Sequence, residues 1–239
     1  MNDDDVNCLT VNLLAYWYCN QFAEVRWQNS VSARLFINNG VRQGDVLSPL
    51  LFTRYIRDMI STIVATNVGC ANQGQLINLL AYADDLVLIA PSWRAMQRLL
   101  SVLDVQISSL DMTCNISKTV CMVFTPTRRD NIVTSVFPLL KIGASSIQFV
   151  GKFKYLGHYI TSDLIDDEDI HREIKNKFIR ANVLFQRVSK CSFNVKIIVL
   201  FKSFCLGLYD VALWKVFKAG SLFKFQSCYN RCIKLFFWL

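Results

Sequence analysis

Two aspartates, Asp84 and Asp85, stand side by side inside an otherwise apolar stretch covering residues 76–90. A membrane-crossing helix needs about 18 or more uninterrupted apolar residues, and this stretch is broken at its centre. It reads as a β-hairpin whose turn carries both carboxylates. Like charges about 4 Å apart repel by roughly 4 kcal/mol at an effective dielectric near 20. A divalent cation removes that conflict. Hard carboxylate oxygens suit Mg²⁺, and two such ions about 3.5 to 4 Å apart activate an attacking hydroxyl and stabilise a leaving oxygen in phosphoryl transfer. A lone Asp-Asp pair more often marks a plain turn, so the surrounding sequence has to decide.

Hydrophobic residues make up 53% of the 239 and charged residues 18%, with a mean hydropathy of +0.30. That balance is greasy for a chain that closes all its own surfaces, and it fits a piece of something larger. One domain with an appended subdomain is expected at this length. No membrane partner is expected, because the other long apolar stretch, residues 195–217, carries Lys196, Lys202, Asp210 and Lys215. The start, Met1-Asn2-Asp3-Asp4-Asp5, is acidic where a secretory signal is basic and then apolar, which predicts an intracellular protein.

Nine cysteines form no CxxC pair and have only His158 and His171 beside them, so they predict neither a zinc site nor a disulfide framework. Cys228 and Cys232, four apart on a predicted helix, read as reduced, small hydrophobes. A net charge of +8 favours polyanionic partners. Lys and Arg dominate after Arg172.

The periodicity predicts a helix over 8–18, with Leu9, Leu13 and Trp17 at four-residue spacing, then strands over 24–28 and 33–37 joined at Asn29 and Ser30. After Asn38-Asn39-Gly40, Ser48 is the expected N-cap and Pro49 the first residue of a helix burying Phe52, Tyr55, Ile56, Met59, Ile60 and Ile63. Another amphipathic helix is predicted over 92–110, from Met96, Leu99, Leu100, Leu103 and Ile107. A strand over 120–124, a loop over 126–131 and a hairpin over 146–160 follow. From Asp166 a helical region begins, its acidic start complementing the macrodipole. Ile170, Ile174, Phe178, Ala181, Phe185 and Val188 mark one face, while Arg172, Lys175, Arg180, Arg187 and Lys190 populate others.

Tyr82-Ala83-Asp84-Asp85, flanked by Leu79-Leu80-Ala81 and Leu86-Val87-Leu88-Ile89, resembles the signature hairpin of reverse transcriptases. Gly40-Val41-Arg42-Gln43-Gly44-Asp45-Val46-Leu47-Ser48-Pro49 is similar to the block that precedes it in that family, Cys114-Asn115-Ile116-Ser117-Lys118-Thr119 to the block that follows, and Phe153-Lys154-Tyr155-Leu156-Gly157 to a further hairpin. The wording of the first block and the tail around Trp214 point to the non-LTR retrotransposon branch. The resemblance covers the chain from about residue 9 to its end.

The resemblance implies an α+β fold: a polymerase palm, an antiparallel sheet with packed helices, over 1–160, followed by an α-helical thumb over 161–239. It implies Asp84 as a metal ligand and Asp85 as its support, with two Mg²⁺ ions in the complete enzyme. Arg42, Gln43, Gly44 and Tyr82 are implied at the nucleotide, and Lys118 near the departing pyrophosphate. Tyr155, Leu156 and Gly157 are implied at the primer end. The implied partners are an RNA template, an RNA/DNA duplex, deoxynucleotide triphosphates and the missing N-terminal part of the polymerase. In this family a third aspartate lies on a strand before the first helix, and Asp3 to Asp5 lack that strand's pattern. The fingers and that strand are therefore expected to lie outside this chain, weakening Mg²⁺ binding and leaving the chain alone inactive. A non-catalytic nucleic-acid-binding remnant is the alternative. RNA-templated RNA synthesis is disfavoured by the Gly-Val-Arg-Gln-Gly wording.

Overall fold

The computed structural model of the chain describes residues 6–37, 40–124, 137–188, 190–192, 194–195 and 211–237. The expected loop at 126–131, Asp3 to Asp5 and Asn38-Asn39 lie outside the described residues. The chain divides into two compact units, residues 1–90 and 91–239. No helix among the described residues is long and apolar enough to cross a membrane.

In the first unit, α1 (Cys8–Cys19) starts at Asn7, whose side-chain oxygen accepts from the Leu9 amide at 2.9 Å. The helix forms where the spacing predicts, yet none of its residues is buried. β1 (Phe22–Ala23) pairs antiparallel with β4 (Leu35–Phe36), and β2 (Arg26–Trp27) with β3 (Ser30–Val31) nests inside them. Between the two pairs Ser32 replaces the ladder, its hydroxyl accepting from the Val25 amide at 2.9 Å. The turn expected at Asn29 and Ser30 falls instead on Gln28 and Asn29. Gln28 adopts the left-handed conformation (φ 53°), so Ser30 already belongs to the return strand.

α2 (Ser48–Tyr55) and α3 (Arg57–Val64) replace the single helix expected after Pro49, with a break at Ile56 (φ −90°, ψ 0°). Leu47, not Ser48, occupies the cap position. The Ser48 hydroxyl is buried without a hydrogen-bond partner among the described residues. Ile56, Met59 and Ile63 are buried as their spacing requires, whereas the break turns Tyr55 outward. β5 (Cys70–Asn72) and β6 (Gln75–Ile77) then form a hairpin that the apolar pattern concealed, because Leu76 and Ile77 pair backward with Ala71 and Cys70. β7 (Leu79–Tyr82) and β8 (Asp85–Leu88) form the next.

In the second unit, α4 (Trp93–Ser109) is capped by the Ser92 hydroxyl and buries Leu99, Leu100 and Leu103. β9 (Val120–Cys121), shorter than expected, β10 (Leu140–Ile142) and β11 (Ser145–Phe149) make one sheet in the order β10-β11-β9. The β10–β11 pair is antiparallel, but β11–β9 is parallel, a departure from the purely antiparallel expectation. The Gln97 side chain grips the edge of β10 as a strand would: its amide donates to the Lys141 carbonyl at 2.9 Å and its oxygen accepts from the Lys141 amide at 3.0 Å. The hairpin expected over 146–160 is therefore not one piece. Residues 145–149 pair with β10 and β9, and the hairpin proper is β12 (Lys152–Tyr155) with β13 (His158–Thr161).

α5 (Asp167–Val188), a short 3-10 turn (Val211–Leu213) and α6 (Ala219–Phe237) complete the unit. Ala181, Leu184, Cys228 and Cys232 form the seam between the two helices, with Ile174, Phe178 and Ile233 packed on it. Phe185, expected on that face, stays 38% exposed. Burial pushes the Cys228 thiol up to about 12 and raises Cys232 as well. Asp169 is fully buried and ties three elements together. It accepts from the Tyr159 amide (2.9 Å), Arg172 Nε (2.6 Å) and the Trp214 indole (2.9 Å), and His158 Nδ1 lies 3.1 Å away. Asp166 accepts from the amides of Lys215 and Val216, and Asp167 from that of Lys218, so the acidic helix start clamps the chain entering α6. Helices and small, mostly antiparallel sheets alternate along the described chain, an α+β arrangement.

Candidate functional site

A two-residue turn, Ala83-Asp84, joins β7 to β8, and Tyr82 faces Asp85 as the closing pair. Ala83 takes a left-handed φ of 52°, the conformation a tight hairpin turn demands. Alternation along the strands sets Asp85 on the same face as Tyr82, Leu80 and Val87. Asp84, Asp85 and Tyr82 are exposed. Neither carboxylate makes a side-chain hydrogen bond or ion pair among the described residues. Their oxygens are open to a hard cation.

Two neighbouring carboxylates fit part of a Mg²⁺ donor set, the remaining positions being typical for water or phosphate oxygens. Among the described residues no group of three or more His, Cys, Asp or Glu is gathered to hold a metal ion.

The loop at residues 40–45 uses two left-handed glycines, Gly40 (φ 101°) and Gly44 (φ 87°). A side chain at Gly44 would meet open space, so glycine is needed there for its backbone angle and not for crowding. Gln43 is exposed. Arg42 is tied inward, its Nε donating to the Gln21 side-chain oxygen at 3.3 Å. No side-chain hydrogen bond or ion pair joins Arg42 or Gln43 to Asp84 or Asp85 among the described residues.

Lys118 is exposed and ends a tight turn in which its amide donates to the Asn115 carbonyl at 3.1 Å. That turn leads directly into β9. Tyr155 and His158 close the β12–β13 hairpin around Leu156 (φ 46°) and Gly157 (φ 95°). Lys118 and this hairpin belong to the second unit, and Arg42, Gln43, Gly44, Tyr82, Asp84 and Asp85 to the first.

Several cations of the C-terminal helices are engaged within the fold. Arg172 binds Asp169 and Glu173, Arg180 lies 3.6 Å from Glu173, and Lys177 is buried over the rings of Phe225 and Tyr229. Lys175 and Arg187 of α5 face solvent, as do Lys224, Arg231 and Lys234 of α6, a helix with no acidic residue. The accessible positive charge therefore lies along α6 as well as α5.

Two residues that matter for these loops escaped the pattern. Gln21 is a buried amide that holds Arg42, and nothing local in the sequence sets it apart from a solvated glutamine. Asp169 read as a helix-start charge, whereas in the structure it is the polar centre of the second unit. Its one sequence signal was the excess of acids over the number a helix start requires.

The sequence model of the reverse transcriptase (RNA-dependent DNA polymerase) family matches residues 3–160. The chain is also similar to the retrovirus-related Pol polyprotein from type-1 retrotransposable element R2 of Nasonia vitripennis. The two are 30% identical over 122 residues, which make up 49% of this chain and 12% of that relative.

Proposed function

The chain belongs to the reverse transcriptase (RNA-dependent DNA polymerase) family, and from that premise we propose that it serves RNA-templated DNA synthesis as the palm and thumb part of a non-LTR retrotransposon polymerase. The observation that carries this reading is the pair of exposed carboxylates at the tip of the β7–β8 hairpin, without side-chain partners among the described residues. A reverse transcriptase domain implies a polymerase palm. In this reading residues 1–160 form that palm and residues 161–239 the thumb.

Asp84 is the metal ligand and Asp85 its neighbour in support. Mg²⁺ held there would favour deprotonation of the primer 3′-hydroxyl and neutralise charge on the departing pyrophosphate. Gln43 and Gly44 approach the nucleotide, glycine for close backbone contact and glutamine for its paired donor and acceptor. Arg42 and Tyr82 line the same substrate. Lys118 meets the charge of the leaving group. Tyr155, Leu156 and Gly157 hold the primer end, and the basic thumb grips the RNA/DNA duplex through its phosphates.

Two carboxylates make only part of a two-metal site, and in this reading the chain alone should not polymerise. Incubated with oligo(dT), poly(A), dTTP and Mg²⁺, it should extend no primer above a protein-free blank; extension would refute that point. Fusion to the residues that precede the matched segment in the R2 relative should restore extension. Asp84→Asn in that fusion should then raise the barrier by about 3 kcal/mol or more, ~100-fold in rate. Extension indifferent to Asp84→Asn would remove the proposed role of the pair. A fusion that binds hybrid duplex and never extends it would favour the non-catalytic remnant.

A further inference from the structure

Asn78 is 2% exposed, an amide between the strands of two hairpins and otherwise surrounded by apolar chain. Its side-chain nitrogen donates to the Ile63 carbonyl at 2.9 Å and lies 3.5 Å from the Val64 carbonyl and 3.4 Å from the Thr66 hydroxyl. Those two carbonyls belong to the last turn of α3, and the Ile63 carbonyl also accepts from the Thr66 amide at 3.2 Å and the Thr66 hydroxyl at 2.8 Å, so Asn78 joins a polar knot that closes the helix. On its other side the Asn78 carbonyl accepts from the Ile89 amide at 2.8 Å, one step below the Leu79–Leu88 pair. Asn78 thus joins the end of α3 to the root of the β7–β8 hairpin. Gly69 closes the joint from behind, since a Cβ there would stand 2.7 Å from the Ile77 carbonyl and 2.8 Å from Asn78 Cβ.

The rest of the hairpin is held loosely. Leu80, Tyr82 and Asp85 are exposed, and no residue of either strand is fully buried. At about 3.3 Å per residue the carboxylates stand about 13 Å from this joint. A tilt of about 10° at the root therefore moves the tip by about 2 Å, beyond the ~1 Å misplacement that can cost on the order of 100-fold in rate.

We propose that Asn78 is the positioning residue of the Asp84–Asp85 hairpin, fixing its angle to α3 through the Ile63 carbonyl. Its importance for catalysis rests on the role given above to the carboxylates. The joint itself can be tested without it, because amide exchange reports how the hairpin is held whether or not it binds metal.

The test is hydrogen exchange on the full chain, comparing residues 79–89 with the α3 segment 57–64 as internal reference. Asn78→Leu should speed exchange in 79–89 relative to 57–64 by about tenfold at every pH. Asn78→Asp should do the same at alkaline pH, where its ionised carboxylate faces carbonyl oxygens. Burial beside those oxygens raises the carboxyl above the ordinary carboxylate range, so on acidification its protonated O–H donates to the Ile63 carbonyl and protection should return toward wild type at the same pH. Wild-type protection in Asn78→Leu would show that Asn78 only fills space. Equal acceleration of both segments would show general support of the unit, and Asn78→Asp without recovery on acidification would show that the hydrogen bond is not what holds the hairpin. Each of these three results overturns the proposal.

Discussion

Helices α1 and α5 belong to different units, and they part company in what their apolar residues meet. α1 carries Leu9, Val11, Leu13, Leu14, Tyr16, Trp17 and Tyr18 around its whole circumference, and leaves Leu9 76% and Leu13 64% exposed. α5 has fewer apolar residues, but they lie in one stripe, and it closes on α6 over Ala181 and Leu184 with Asp169 sealed at its start. An evenly greasy helix offers no preferred face, whereas a segregated one selects a partner and an orientation. Charge adds to the selection in α5, because a buried carboxylate tolerates only an arrangement that supplies its donors.

The strongest way to break this contrast is Asp169→Ala, which takes the acceptor from the Trp214 indole and removes the nearer of Arg172's two carboxylate partners inside the second unit. A buried ion pair that loses one partner costs about 3 to 5 kcal/mol. Exchange protection in α5 and α6 should collapse while that of α3 in the first unit is unchanged. Next in size is Leu184→Ala, expected to cost about 2 to 4 kcal/mol in denaturant titration because it opens a cavity in the α5–α6 seam. Leu13→Ala should stay within about 0.5 kcal/mol. If the two leucines cost the same, the contrast between the helices fails.

Acid should separate the units by a smaller margin. Burial pushes the Asp169 carboxyl up, but Arg172, the Tyr159 amide and the Trp214 indole together hold it below the usual carboxylate range. Its folded value thus lies under the unfolded reference of about 3.9. The stabilisation is complete above that reference and is lost as the pH falls through the depressed value. Fluorescence of buried Trp214 should report the loss below about pH 4, and Asp169→Asn should flatten it. Asn7→Ala, which removes the cap of α1, should cost about 1 kcal/mol or less of local helix stability, read as faster exchange at the start of α1 alone.

Much of the fold could be read from the residues because it rests on local rules. Ile56, Met59 and Ile63 are buried at the predicted three-and-four spacing, and the Asp-Asp hairpin turns where its apolar flanks require. What could not be read depends on partners distant in sequence. β10 was missed because Leu140 to Ile142 is a strand only through Ser145 to Phe149 and the grip of Gln97. The Cys70–Ile77 hairpin was hidden because Leu76 and Ile77 look continuous with Leu79 and Leu80, and the break between them is one buried asparagine. At the site, the carboxylate tip follows from sequence, whereas the left-handed angles of Gly40 and Gly44 come from the structure. The residues behind them, Gln21 and Asn78, are polar side chains whose burial no periodicity announces.

The two sulfurs of the α5–α6 seam have a practical consequence. At neutral pH the Cys228 thiol, pushed to about 12, holds its proton and lies shielded from solvent, so alkylating and oxidising reagents that attack thiolates should pass it by. Cys8, Cys19 and Cys191 stand in the open. A maleimide dye applied to the folded chain should therefore decorate α1 and the stretch beyond α5 while the seam stays dark, and colour appearing at Cys228 would time the parting of the two helices.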